Sequence, residues 1–147
     1  MTVGVYDDED FINSKNGDYV MGQIRKKYLG DSTVTIVLIG TCTHSRRYVD
    51  WEIKSSLRRG SYTPNGLLGI VMPGADRAPY LPERFAANYE KDDSLYARYH
   101  WAPANASQLR TWIEDAHGAR TSRANLIVNS RIMWKYNRKC KICDLTH

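Results

Sequence analysis

A chain of 147 residues, 42% hydrophobic and 11% aromatic, carries enough apolar material to exclude wholesale disorder, and too little for two cores, so one domain over 1–147 is expected. No apolar run approaches the roughly 20 residues that cross a bilayer, and MTVGVYDDED has neither the basic nor the apolar region of a signal peptide; a cytoplasmic protein that makes no membrane contact is expected. Twenty-one Lys plus Arg against sixteen Asp plus Glu leave +5, a mild excess that favours anionic ligands such as nucleotides and argues only weakly for nucleic acid.

The first periodic stretch is 17–29, where Asp18 can cap and Val20, Ile24 and Tyr28 recur at helical spacing, which predicts an amphipathic helix. Residues 33–39, TVTIVLI, form a continuous β-branched and apolar run closed by Gly40, the pattern of a central parallel strand covered on both faces. A polar turn follows, in which Ser45 is placed to cap a helix over about 46–59 that Gly60 ends, with Val49, Ile53 and Leu57 as its buried stripe. Residues 67–72 read as a second buried strand, so helix and strand alternate as in a βαβ sheet. The proline-containing stretch 73–91 reads as a long loop leading into a short aromatic strand at 96–101. A helix over 107–117, capped by Asn105 or Ser107 and with Gly118 near its end, precedes a basic segment of about 120–147.

Ligands of open parallel sheets bind beyond the carboxyl ends of the strands, which directs attention to the turn 40–45 and the first turns of the helix after it. Backbone N–H groups there suit an anion, and Arg46 or Arg47 could pair with a phosphate, although Gly-Thr-Cys-Thr is neither a Walker loop nor a GxGxxG turn. Glu52 lies one turn beyond Tyr48, on a different helix face from the apolar stripe. A carboxylate beside an aromatic suits glycosidic chemistry at a ribose, where positive charge develops on the sugar; on spacing alone a solvated or ion-paired glutamate is the commoner case. His44 has the titration range of an acid or base, but a polar turn histidine is commoner. Tyr96, Tyr99 and Trp101 could stack a base, yet packing against the sheet is the stronger expectation.

The three cysteines do not make an even disulfide framework. Cys140 and Cys143 form one CxxC, which would hold zinc if Cys42, His44 or His147 came near; a lone CxxC is more often chance spacing, and no metal is assigned.

The string from Asp31 to Leu57, DSTVTIVLIGTCTHSRRYVDWEIKSSL, closely resembles the TIR-like proteins of bacterial Thoeris defence of the ThsB type, in which a TVVLIG strand leads through a Thr- and Ser-containing turn to W-[VI]-x-x-E-I. Residues 48–53 sit on that last motif, with Tyr48 where Trp is commoner and Glu52 on the family's catalytic glutamate. The resemblance continues more loosely through 67–72, 112–116, 125–131 and 136–137. It implies a flavodoxin-like, three-layer α/β/α fold with a mainly parallel sheet. Relative to the family's VFxSFxxxD opening, the chain is expected to start near the second strand, at residues 3–7, and to lack the usual first strand and helix. The resemblance further implies an NAD glycohydrolase or ADP-ribosyl cyclase with NAD as substrate and no separate cofactor. Its signal would be an ADP-ribose derivative that acts on a separate effector in antiphage defence, and the protein would be a homo-oligomer. Glu52 is then catalytic, Tyr48 shapes the pocket, and Thr43, Ser45 and Arg46 contact diphosphate or ribose. A non-catalytic self-assembly module and a nucleic-acid binder are the alternatives.

Overall fold

A computed structural model describes residues 14–75, 79–89 and 95–147. Helix α1 (Gly17–Ile24) continues as a π-helical turn, Arg25–Leu29. Strand β1 (Val34–Ile39) leads through a 3-10 turn (Thr43–Ser45) to α2 (Arg47–Ser56), β2 (Gly66–Val71), the single turn α3 (Glu83–Ala86), β3 (Arg98–Trp101) and α4 (Ala106–Ser122). The three strands are parallel and ordered β1-β2-β3, with Val34 opposite Gly66 and Leu68 opposite Arg98. No helix among the described residues is long and apolar enough to cross a membrane.

Alternation along the strands assigns the layers, because successive side chains leave a strand on opposite faces. Val37, Ile39, Leu67 and Val71 point to the face covered by Ile53 of α2 and by Leu57 just past its end, together with Phe85 and Tyr96. Leu68 and Ile70 point to the other face, against Leu109, Trp112, Ile113 and Ala116 of α4, joined by Val34. Helix, sheet and helix therefore stack as the expected α/β/α sandwich, and β2, the middle strand, is buried along its whole length. A third cluster joins Val20, Met21 and Ile24 of α1 to Trp51 of α2.

Several local expectations are corrected. Asn16, not Asp18, caps α1: its side chain accepts from Tyr19 N, while Asp18 stays in the first turn and lies 3.7 Å from Arg58. The N-cap of α2 is Arg46, whose side chain makes no cap, because the Ser45 hydroxyl instead donates to the Cys42 carbonyl at 2.8 Å. Gly118 does not end α4; the helix runs on to Ser122 because Ala119 is fully buried and Arg120 Nε reaches the Pro64 carbonyl at 3.0 Å. The stretch read as loop contains α3. Most consequentially, β1 is not covered on both faces: Ile36 and Leu38 are 39% and 55% exposed, since α4 lies over β2 and meets β1 only around Val34. The anticipated N-terminal strand at residues 3–7 lies outside the described residues.

Candidate functional site

Helix α2 is held in place at its start, middle and end by residues remote in sequence. At its start Asn137 Oδ1 accepts from Arg47 N at 2.8 Å, and Arg138 N donates to the Ser45 carbonyl at 2.8 Å. In its middle the buried Asp50 carboxylate accepts from Arg84 Nε at 2.8 Å and from Trp134 N at 3.0 Å, while Trp51 Nε1 donates to the Trp134 carbonyl at 2.7 Å. At its end Arg25 sits buried and donates to the carbonyls of Ser55 and Ser56, a cation on the negative end of the helix dipole. Lys54 donates to the carbonyls of Asn129 and Arg131, and burial, then the charge of Arg84, lowers its pKa.

With Ile53 and Leu57 committed to the core, the helical turn presents Glu52 along the outer edge of β1, half-buried. It lines a cleft of about 250 Å³ with Tyr28, Leu29, Ser32, Val34, Thr35 and Ile36. A second hollow of about 90 Å³ adjoins, bounded by Glu52 again and by Leu38, Thr43 and Val49 among others. Hydroxyls furnish the polar wall: Thr35 Oγ1 and Ser56 Oγ are 2.7 Å apart, and Asn65 Nδ2 donates to both Ser32 Oγ and Thr35 Oγ1 at 3.2 Å. A carboxylate, two oriented hydroxyls and an aromatic ring around a small cleft suit a polyhydroxylated ring, with the carboxylate placed to meet developing positive charge.

The structure brings together some of the residues singled out in the sequence and separates others. Thr43 shares the smaller hollow with Glu52, although its hydroxyl is already engaged, donating to the Leu38 carbonyl and accepting from Gly40 N. Ser45 is fully buried and Arg46 exposed, and neither lines the two hollows beside Glu52. Tyr48 lies edge-on to Trp51 at 5.4 Å, with the Arg47 guanidinium 4.6 Å from its ring centroid, so it turns toward the α1 cluster. The aromatic ring in the cleft is Tyr28 instead, read in the sequence only as part of a helical stripe. The helix-start anion site is also altered, because the Asn137 amide oxygen occupies the first N–H. Tyr96 is buried and donates to the Asn65 carbonyl, whereas Tyr99 and Trp101 pack side by side at 5.7 Å.

Beneath the turn 40–45 the C-terminal segment forms a small hairpin. Lys139 bridges Thr146, Cys140 N donates to the Leu145 carbonyl, and His44 Nε2 accepts from Lys141 N. Burial, then the charge of Lys141, lowers the His44 pKa, so this ring serves as a neutral acceptor. Burial pushes the Cys140 thiol up, but N–H groups of Cys143 and Ile142 and the neighbouring sulfurs bring it to about 7; contact with Cys140 and Cys143 pushes Cys42 up to about 12. The basic run is largely engaged: Arg131 and Arg138 reach Glu83, Lys139 pairs with Asp144, and Lys141 lies over Tyr80.

A family model described as the TIR-like domain of Thoeris protein ThsB matches residues 3–77, a span that takes in α1, β1, α2 with Glu52, and β2. No curated protein and no solved structure matches the chain.

Proposed function

The chain belongs to the family of Thoeris ThsB TIR-like domains, and from that premise we propose that it cleaves the nicotinamide–ribose bond of NAD with Glu52 as catalytic carboxylate. Membership in the family gives the protein a TIR-like role related to Thoeris defence. The observation that carries the finer reading is the half-buried Glu52 in a cleft whose other polar groups are hydroxyls. At about 250 Å³ the described cleft is smaller than the roughly 300–1,000 Å³ of a pocket for a whole drug-sized ligand, and it suits the nicotinamide riboside half of the substrate.

Cleavage moves the bonding pair to nicotinamide and leaves oxocarbenium character on the ribose. Glu52 stabilises that charge, or holds the ribose hydroxyls so that it develops in place. Ser32 and Thr35 orient the sugar, Tyr28 offers its ring to nicotinamide, and Thr43 borders the far end of the site. Arg46, exposed at the start of α2, is the cation assigned to a diphosphate. The nucleophile that reaches the anomeric carbon sets the product, an ADP-ribose derivative that signals to a separate effector in antiphage defence.

The test is nicotinamide release from NAD, followed by mass spectrometry for wild type and Glu52→Gln, alone and with lysate from phage-infected cells. We expect wild-type turnover and a loss of about 100- to 1,000-fold in Glu52→Gln, with the melting temperature unchanged. Equal turnover by both proteins would remove the assignment. A second reading, a non-catalytic self-assembly module, is favoured by β1, which among the described residues pairs on one side only. Light scattering that finds an assembled chain inert toward NAD in both conditions would select it.

A further inference from the structure

The hairpin at the C-terminal end places a second constellation beside the turn that precedes α2. Cys42 Sγ and Cys143 Sγ are 3.5 Å apart, and Cys143 Sγ is 3.1 Å from His147 Nε2. The ligand atoms of Cys42, Cys143 and His147 all lie within 4.8 Å of one another. Cys140 stands beside this group rather than within it: its Sγ interacts with the sulfurs of Cys42 and Cys143 but rests on the Thr41 carbonyl, so it is the donor that must turn to complete the set. Around a tetrahedral zinc with Zn–S near 2.3 Å, neighbouring donor atoms stand about 3.8 Å apart, so the observed spacings need only a small expansion to admit the ion.

The backbone is shaped for the same purpose. Ile142 N points at Cys140 Sγ at 3.5 Å, an N–H to sulfur contact that stabilises a metal-bound thiolate. Asp144, at φ 64°, reverses the chain, and its N–H donates to the Cys140 carbonyl at 3.0 Å, which returns His147 to the cysteines after three residues. The order Cys-x2-Cys-x3-His plus one remote cysteine gives Cys3His, one of the standard donor sets of closed structural zinc sites. His44 is not a ligand, because its Nε2 is taken by Lys141 N. Three thiolates, one neutral imidazole and a dication sum to −1, a charge that suits the surrounding Lys139 and Lys141.

We infer that Cys42, Cys140, Cys143 and His147 bind one structural zinc ion, which clamps the C-terminal segment onto the turn leading into α2. Cys140 turns its sulfur from the Thr41 carbonyl, 3.6 Å away, to the metal. The inference is independent of NAD chemistry, since the site lies at the turn before α2 and not in the cleft of Glu52.

The experiment uses the full chain, reduced and stripped of metal, titrated with zinc alone against a chromophoric chelator. Elemental analysis of the protein as purified runs in parallel. We expect one equivalent of zinc bound, tetrahedral thiolate spectra on replacement by cobalt, and a melting temperature that falls when a strong chelator is added. Cys42→Ser and Cys143→Ser should each weaken zinc binding by more than about 100-fold, and His147→Ala by less, because three sulfurs remain. Wild-type protein that binds no stoichiometric zinc while folded, or that is isolated with a Cys42–Cys143 disulfide and no metal, overturns the proposal. Equal zinc affinity in Cys42→Ser overturns it as well. Because the wild-type titration does not depend on any variant folding, a collapsed mutant cannot mask the answer.

Discussion

The Asp50–Arg84 pair shows how much of the site rests on residues that have no part in its chemistry. Both side chains are nearly inaccessible, and Arg84 also reaches Asn129 Oδ1 and the Ile132 carbonyl, so one guanidinium joins α3, α2 and the C-terminal segment. Removing one member of a buried pair leaves the other charge desolvated without compensation, which costs far more than the pair contributes as a whole. Asp50→Ala should therefore lose about 3–5 kcal/mol in urea unfolding, and Asp50→Ala combined with Arg84→Met should recover part of it. A single mutant within 1 kcal/mol of wild type would show that the network is dispensable. Nothing in the sequence marks the pair: Asp50 sits between two stripe residues, and Arg84 lies 34 residues away in a stretch without periodicity. Glu52 was legible for the opposite reason, since a recurrent local motif surrounds it. The spacing also sets Tyr48 beside it, but i, i+4 spacing fixes only the starting direction of a side chain, and Tyr48 packs with Trp51 and Arg47.

At the scale of elements, β2 is pressed between two helices, and one glycine sets how closely α4 approaches. A Cβ on Gly66 would stand 2.0 Å from the Ala116 carbonyl oxygen, which is helix backbone and cannot swing aside. Gly66→Ala should force α4 off the sheet and cost about 3 kcal/mol, readable as a lower urea midpoint with far-UV circular dichroism retained. The β3–α4 contact carries a pH dependence. His100 stacks on Trp112 with ring centroids 4.1 Å apart, and burial, despite the opposing pull of Asp115, lowers its pKa below 6.5. The unfolded chain then binds a proton that the folded chain resists, so this contribution is intact above about pH 6.5 and is lost as pH falls through the folded pKa. His100→Phe should flatten the stability profile between about pH 7 and 5; an unchanged slope would exclude His100 as its source. The strands were readable as short continuous apolar runs and α2 from its i, i+4 stripe, whereas α3, a single turn held by Arg84 and Phe85, is too short to show a pattern.

For the whole molecule, a parallel βαβ sheet was legible from alternation of elements and the three-layer stacking from the family resemblance, and the open face of β1 was not. Val34, Ile36 and Leu38 look equally apolar in the sequence, and only the footprint of α4 decides that Val34 is covered and the others are exposed. The C-terminal segment was opaque for a related reason: from residue 127 onward its order comes from single side-chain contacts to distant partners, not from a repeating pattern. One of those contacts bears on how the protein comes into being. The amide of Asn137 that seats the first turn of α2 lies 90 residues downstream of Arg47. Domains are made N-terminus first, at about 5–20 residues per second, so the segment carrying Glu52 leaves the ribosome seconds before the groups that fix its orientation. The proposed catalytic geometry is thus set only after the segment around Asn137 has emerged, and a nascent chain would stay harmless to the NAD pool until then.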